Sequence, residues 1–108
     1  MPAYNKLVRD YIPQIIEQSG KKYTTSNLTI DEYKKELKKK AEEEWSGYKE
    51  AKTEHGAVEE LADLLEVVYA LAALNGATPQ QLEHVRQQKA DEKGGFNERV
   101  FLVEVEDQ

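Results

Sequence analysis

The chain has 108 residues, enough for one domain with a modest core. It has no cysteine, which excludes disulfides, thiolate metal ligation and a thiol nucleophile, and its two histidines, His55 and His84, do not make a zinc site by themselves. A net charge of −6 argues against a nucleic-acid polymer as partner, since no broad cationic excess is present to displace counterions.

In chain order, residues 3 to 9 (AYNKLVR) are short and mixed. Residues 12 to 19 (IPQIIEQS) predict a short helix, with Pro13 near its start and Gly20 after its end. Residues 21 to 28 predict an extended connection. Thr29-Ile30-Asp31-Glu32 fits a capping box and opens a long helix over roughly 30 to 53. Thr53 to Gly56 reads as a tight connection. A second long helix is expected over 57 to 75, stopped by Asn75-Gly76. Thr78-Pro79-Gln80-Gln81 is another capping signature, opening a helix from 79 to about 92 that Gly94-Gly95 ends. Residues 96 to 105 (FNERVFLVEV) predict a short strand or extended tail. The expected fold is all-α, one small bundle of three to four helices over residues 1 to 108, with short extended segments at both ends.

The longest mostly apolar run, 61 to 74, is too short and too charged for a membrane span, being broken by Asp63 and Glu66. Residues 1 to 15 carry Lys6, Arg9 and Asp10 without a long apolar run, so no signal peptide and a cytoplasmic location are expected.

The stretch EELADLLEVVYALAAL, residues 59 to 74, is the most apolar in the chain yet holds Glu59, Glu60, Asp63 and Glu66. At about 100° per residue these acids share roughly one third of the helix circumference, and the remainder is apolar. No lysine or arginine lies between Lys52 and Arg86, so no cation on the same helix offsets their repulsion. On the preceding helix Tyr33, Leu37, Ala41, Tyr48 and Ala51 line one face. Lys40 and Glu44 fall inside that face and Glu43 at its edge. A core-facing carboxylate is costly unless paired or metal-bound. A short loop makes the two helices antiparallel, which brings Glu43 and Glu44 towards Glu60 and Asp63. Converging carboxylates suit a hard divalent cation, Mg²⁺ or Mn²⁺. The plainer readings are a solvated acidic stripe and a Lys40–Glu44 ion pair at i, i+4.

A cation held this way shares its other positions with water and phosphate oxygens. Candidate phosphate-binding residues are Lys6 and Arg9 near the start, Lys40 in the long helix, and Arg86, Lys89, Lys93 and Arg99 around DEKGGFNER. Pocket walls are expected from helix faces and from Tyr4, Tyr11, Trp45 or Tyr48.

Three blocks in order, YNKLVRDYIPQII, EELADLLEVVYALA and KADEKGGFNERVFL, resemble the MazG-like, phosphoribosyl-ATP pyrophosphohydrolase-like group of small all-α nucleotide pyrophosphohydrolases. The group's metal motif is Glu-Glu-x-x-Glu followed by Glu-x-x-Asp. Glu43 and Glu44 match the first pair, and Glu60 and Asp63 match the second half. The third glutamate of the first half falls on Gly47, a departure. The metal would then be held by fewer groups, with Glu66 or Glu50 substituting, or the site is weakened. The resemblance implies Mg²⁺-dependent hydrolysis of a nucleoside triphosphate, of the non-canonical kind removed by house-cleaning enzymes, to a monophosphate and pyrophosphate. Catalytic and metal-ligating roles would fall to Glu43, Glu44, Glu60 and Asp63, in a homodimer or larger homo-oligomer. Two alternatives stand beside it: a catalytically impaired nucleotide- or metal-binding or regulatory protein on the same scaffold, and a structural helical module whose acids are solvated.

Overall fold

A computed structural model describes residues 2–107 and is all-α, with four helices: α1 (Ile12–Gln18), α2 (Ile30–Glu50), α3 (Glu54–Leu74) and α4 (Pro79–Lys93). The helix starts follow from local chemistry. The Thr29 Oγ1 accepts from the Glu32 amide at 3.2 Å, and the Thr29 amide donates to Glu32 Oε1 at 2.9 Å. Thr78 and Gln81 repeat the box at the head of α4, with Pro79 in its first turn. Each box satisfies two amides that a helix start leaves without partners.

α3 begins three residues before the expected position. Thr53 is its cap, accepting from the Gly56 amide at 3.0 Å, so Gly56 sits in the first turn and does not form the loop. α2 ends correspondingly early, at Glu50, where Ala51 turns extended. The three-residue link 51–53 leaves α2 and α3 no choice but to fold back on each other. Gly76 and Gly94 close α3 and α4 with φ of 81° and 83°, a conformation that only glycine adopts freely. Residues 96–105 form no strand; they run as irregular chain with a turn in which the Arg99 amide donates to the Phe96 carbonyl at 3.2 Å.

The α2–α3 hairpin is the body of the molecule, and α4 packs against α3. Its centre is Leu37 of α2 and Val67 of α3, 4% and 8% exposed, the two buried apolar side chains among the described residues. Tyr33, Ala41, Tyr48 and Ala51 flank Leu37 as half-buried residues on the expected face. No helix among the described residues is long and apolar enough to cross a membrane.

Candidate metal and phosphate site

The acids of α3 divide according to where the helix turns them. Glu60 and Asp63 lie on the side of α3 that meets α2, one turn apart, and Glu44 faces them from α2. One carboxylate oxygen from each lies within 4.8 Å of the others, and all three residues are half-buried. Glu59, only about 100° from Glu60 around the helix, turns outward and meets His55 Nε2 at 2.7 Å.

Glu43 does not join the group. Its side chain is 56% exposed, and its Oε2 lies 3.5 Å from Lys40 Nζ. Neighbouring residues on a helix point about 100° apart, so α2 can aim Glu44 or Glu43 at α3, not both. Glu44 is aimed, with its side chain 15% exposed. Lys40 Nζ stands 4.0 Å from Glu44 Oε1, so the expected i, i+4 pair exists as a long contact and does not neutralise the cluster.

A cleft of about 490 Å³ opens beside the triad. Its floor is apolar, with Leu37, Val67 and Ala70, and its rim is charged, with Arg9, Lys40, Glu44, Asp63 and Glu66. The wall opposite the hairpin is the segment Leu7–Ile12 together with Ile15 of α1. Glu66 therefore borders the cleft one turn beyond Asp63 without entering the triad. Glu50 is exposed and also stands outside it.

Of the seven cations expected to hold phosphate, Arg9 and Lys40 reach this cleft. Arg9 Nη2 donates to Asp63 Oδ1 at 2.7 Å, across 54 residues of sequence. Lys6 lies 5.9 Å over the Tyr4 ring. Arg86 is taken by Glu83 on its own helix, at 2.6 Å. Lys6, Arg86, Lys89, Lys93 and Arg99 do not line the cleft. The structure does not bring the four C-terminal cations to this cleft: Arg86, Lys89 and Lys93 lie on α4, which packs on α3, and Arg99 lies beyond it. Of the four aromatic candidates, Tyr11 is a wall of the cleft; Trp45 and Tyr48 stack on each other with ring centroids 5.4 Å apart.

Gly47 takes a role that its position in sequence did not disclose. The Glu60 carboxylate lies against its α-carbon, so that a Cβ on residue 47 would stand 2.6 Å from Glu60 Oε2 and 2.7 Å from its carboxyl carbon. The missing side chain makes a notch on α2, and Glu60 fills it. The only sequence signal was a glycine inside a helix, where it costs up to about 1 kcal/mol against alanine.

The electrostatics of the cluster are strained. Burial pushes the Glu44 carboxyl above its ordinary value of 4.5, reinforced by a hydrogen bond shared with Glu60 and by the charges of Asp63 and Glu60; Lys40 opposes weakly. The folded chain therefore binds this proton more tightly than the unfolded chain does. The associated stability is fully present below the ordinary glutamate value and is lost as pH rises through the higher folded value. In chelator, urea midpoints measured from roughly pH 4 to 8 are expected to fall across that window, and Glu44→Gln is expected to flatten the slope. A slope unchanged by Glu44→Gln would contradict the assignment.

All donors of the triad are carboxylate oxygens, which matches a small hard cation and not a soft one. Comparison of the chain with family models, with curated proteins and with solved structures yields no match.

Proposed function

We propose that the chain is a divalent-metal-dependent nucleoside triphosphate pyrophosphohydrolase. The observation that carries this reading is the convergence of Glu44, Glu60 and Asp63 from two antiparallel helices, beside a cleft whose rim holds Arg9 and Lys40. The order of the three sequence blocks that resemble MazG-like enzymes supports it. Glu44, Glu60 and Asp63 would hold Mg²⁺ or Mn²⁺, and Glu66 stands near enough to the cleft to orient water around it. A bound cation would neutralise charge on phosphate oxygens and lower the pKa of a water.

The remaining work falls to the chain. Arg9 and Lys40 bind non-bridging phosphate oxygens, Arg9 with a planar fork suited to two of them at once. Arg9 is free to do so once Asp63 turns to another cation. Glu66, which borders the cleft without entering the triad, accepts the proton of the water that attacks the α-phosphorus. The α–β bridging bond breaks, and monophosphate and pyrophosphate leave. The apolar floor of Leu37, Val67 and Ala70, with Tyr11 as a wall, receives the nucleoside. Such surfaces discriminate poorly between bases, in keeping with modified substrates.

A second reading, a nucleotide- or metal-binding protein without turnover, is favoured by one observation: Gly47 supplies no carboxylate, which leaves three ligands from the chain. A panel of canonical and modified nucleoside triphosphates, incubated with Mg²⁺, with Mn²⁺ and with chelator, separates the two. Metal-dependent release of pyrophosphate from at least one member is the expected result. Metal-stabilised protein that releases none would overturn the enzyme and leave the binding protein.

A further inference from the structure

Residues 4–18 form an arm that is lightly fastened to the rest of the molecule. The backbone of α1 approaches none of the other three helices. Residues 21–29, which join the arm to α2, are exposed throughout and form neither helix nor strand. Nine extended residues reach about 30 Å, so this link lets the arm leave the hairpin without disturbing α2. The arm docks at the cleft, where Leu7, Ile12 and Ile15 stand beside Leu37, Val67 and Ala70. The docking is shallow: Val8, Tyr11 and Ile15 remain 36%, 75% and 56% exposed.

One polar contact holds the arm in place. Among the described residues, Arg9–Asp63 is the one side-chain hydrogen bond that spans more than four positions; every other joins near neighbours. No backbone hydrogen bond among those residues ties the arm to the hairpin. Arg9 thus sets a positive charge on Asp63, one corner of the triad. It is a counter-ion to the acids, carried on a segment that can move.

We propose that Arg9 fastens the arm to Asp63 in the metal-free protein, and that a divalent cation at the triad displaces Arg9 and releases the arm. Two cations on one carboxylate repel each other at short range. An exposed ion pair weighs at most about fivefold in an equilibrium, so a bound metal ion displaces Arg9 readily. A ligand shifts two positions of a segment by the difference in its affinity for them, and Arg9 on Asp63 is that difference. Release leaves the Arg9 guanidinium free for phosphate oxygens, so the cation enters first and the polyphosphate second. The inference rests on the triad holding a divalent cation and not on hydrolysis.

α1 reports whether the arm is docked. Its seven residues are fewer than the 12–15 or so that an isolated helix needs, so it persists while docked and its amides exchange quickly once released. Hydrogen exchange of the full chain is followed without metal and with Mg²⁺ alone, at one ionic strength set with sodium chloride. Mg²⁺ is expected to slow exchange around Glu44, Glu60 and Asp63 and to speed it over residues 12–20 by up to about fivefold, the weight of the lost ion pair. Arg9→Gln is expected to exchange quickly over 12–20 with or without Mg²⁺, and to bind Mg²⁺ up to about fivefold more tightly than the parent. Mg²⁺ that slows the hairpin and leaves residues 12–20 unchanged would overturn the release and leave the metal site standing. Mg²⁺ that alters neither would overturn the release together with the metal site. Arg9→Gln that keeps α1 protected, or that binds Mg²⁺ more weakly than the parent, would overturn the role of Arg9.

Discussion

Asp63→Asn is expected to lower metal-dependent pyrophosphate release by at least about a hundredfold, because altering even a group that only orients a metal ligand typically costs ten- to a hundredfold and Asp63 offers a carboxylate oxygen directly to the triad. The substitution is nearly isosteric and leaves the helix intact. It also removes one of the charges that raise the Glu44 carboxyl, so the metal-free variant is expected to be no less stable than the parent at neutral pH. Turnover and stability then move independently, which separates a chemical role from a structural one. Loss of the Arg9–Asp63 ion pair does not blur the result. The pair is exposed, 57% and 43%, and such pairs contribute about 1 kcal/mol or less. Arg9→Gln serves as the control: its stability is expected to change by no more than that amount, while its Michaelis constant for the triphosphate rises. Activity of Asp63→Asn within a few-fold of the parent would remove this residue from the mechanism.

Gly47→Ala is expected to produce two effects of opposite sign in one variant. Without metal, alanine in a helix interior gains up to about 1 kcal/mol over glycine, a rise of about 4 °C in melting temperature for a chain of this size. The new Cβ, however, enters the space held by Glu60, 2.6 Å from its Oε2. The end of a glutamate is flexible, so Glu60 moves aside cheaply and α2 need not shift. Its carboxylate then leaves the position from which it meets Glu44 and Asp63. The midpoint shift caused by Mg²⁺ is expected to shrink at least tenfold in apparent affinity, with turnover falling in parallel. Gly47→Glu follows the same logic. It brings a carboxylate to α2 at the position of the family motif, but it displaces one already there. Restoring the motif is therefore not expected to raise activity unless Glu60 finds a new position in the cluster. A Gly47→Ala protein that is more stable and responds to metal as the parent does would show that the notch has no part in the site.

What could be read from the sequence was local. The capping boxes at Thr29 and Thr78 involve residues three apart, and they set the helix starts as expected. The all-α fold and the antiparallel α2–α3 pair followed from those starts and a short link. Glu44, Glu60 and Asp63 were placed together, with Glu43, by helix periodicity and the short link that makes α2 and α3 antiparallel. The misjudged features each needed a distance that periodicity cannot supply. Thr53 caps α3 because its hydroxyl reaches the Gly56 amide, so a stretch that reads as a loop is helix. Glu43 was grouped with Glu44 because they are adjacent, whereas a helix aims adjacent residues apart. Arg9 meets Asp63 through a chain reversal that brings the N-terminal segment over the hairpin, and no pattern in either stretch encodes it. The contact of Gly47 with Glu60 depends on the register of α2 against α3, set by the packing of Leu37 and Val67. The C-terminal cations were credited to the site by their density in the sequence; they lie on and beyond α4, away from the cleft.

The central claim is that the three carboxylates hold a divalent cation, and the melting temperature of the unsubstituted protein as Mg²⁺ is added back after chelation tests it most directly. A ligand that binds only the folded state stabilises it by about 2.7 kcal/mol at a hundred times its dissociation constant, a rise of about 10 °C here. The predicted result is a saturable rise with Mg²⁺ and with Mn²⁺, absent with sodium chloride of equal ionic strength and lost in Glu60→Gln. A midpoint that stays flat, or that rises equally with sodium, would contradict the account and leave the acids as a solvated stripe.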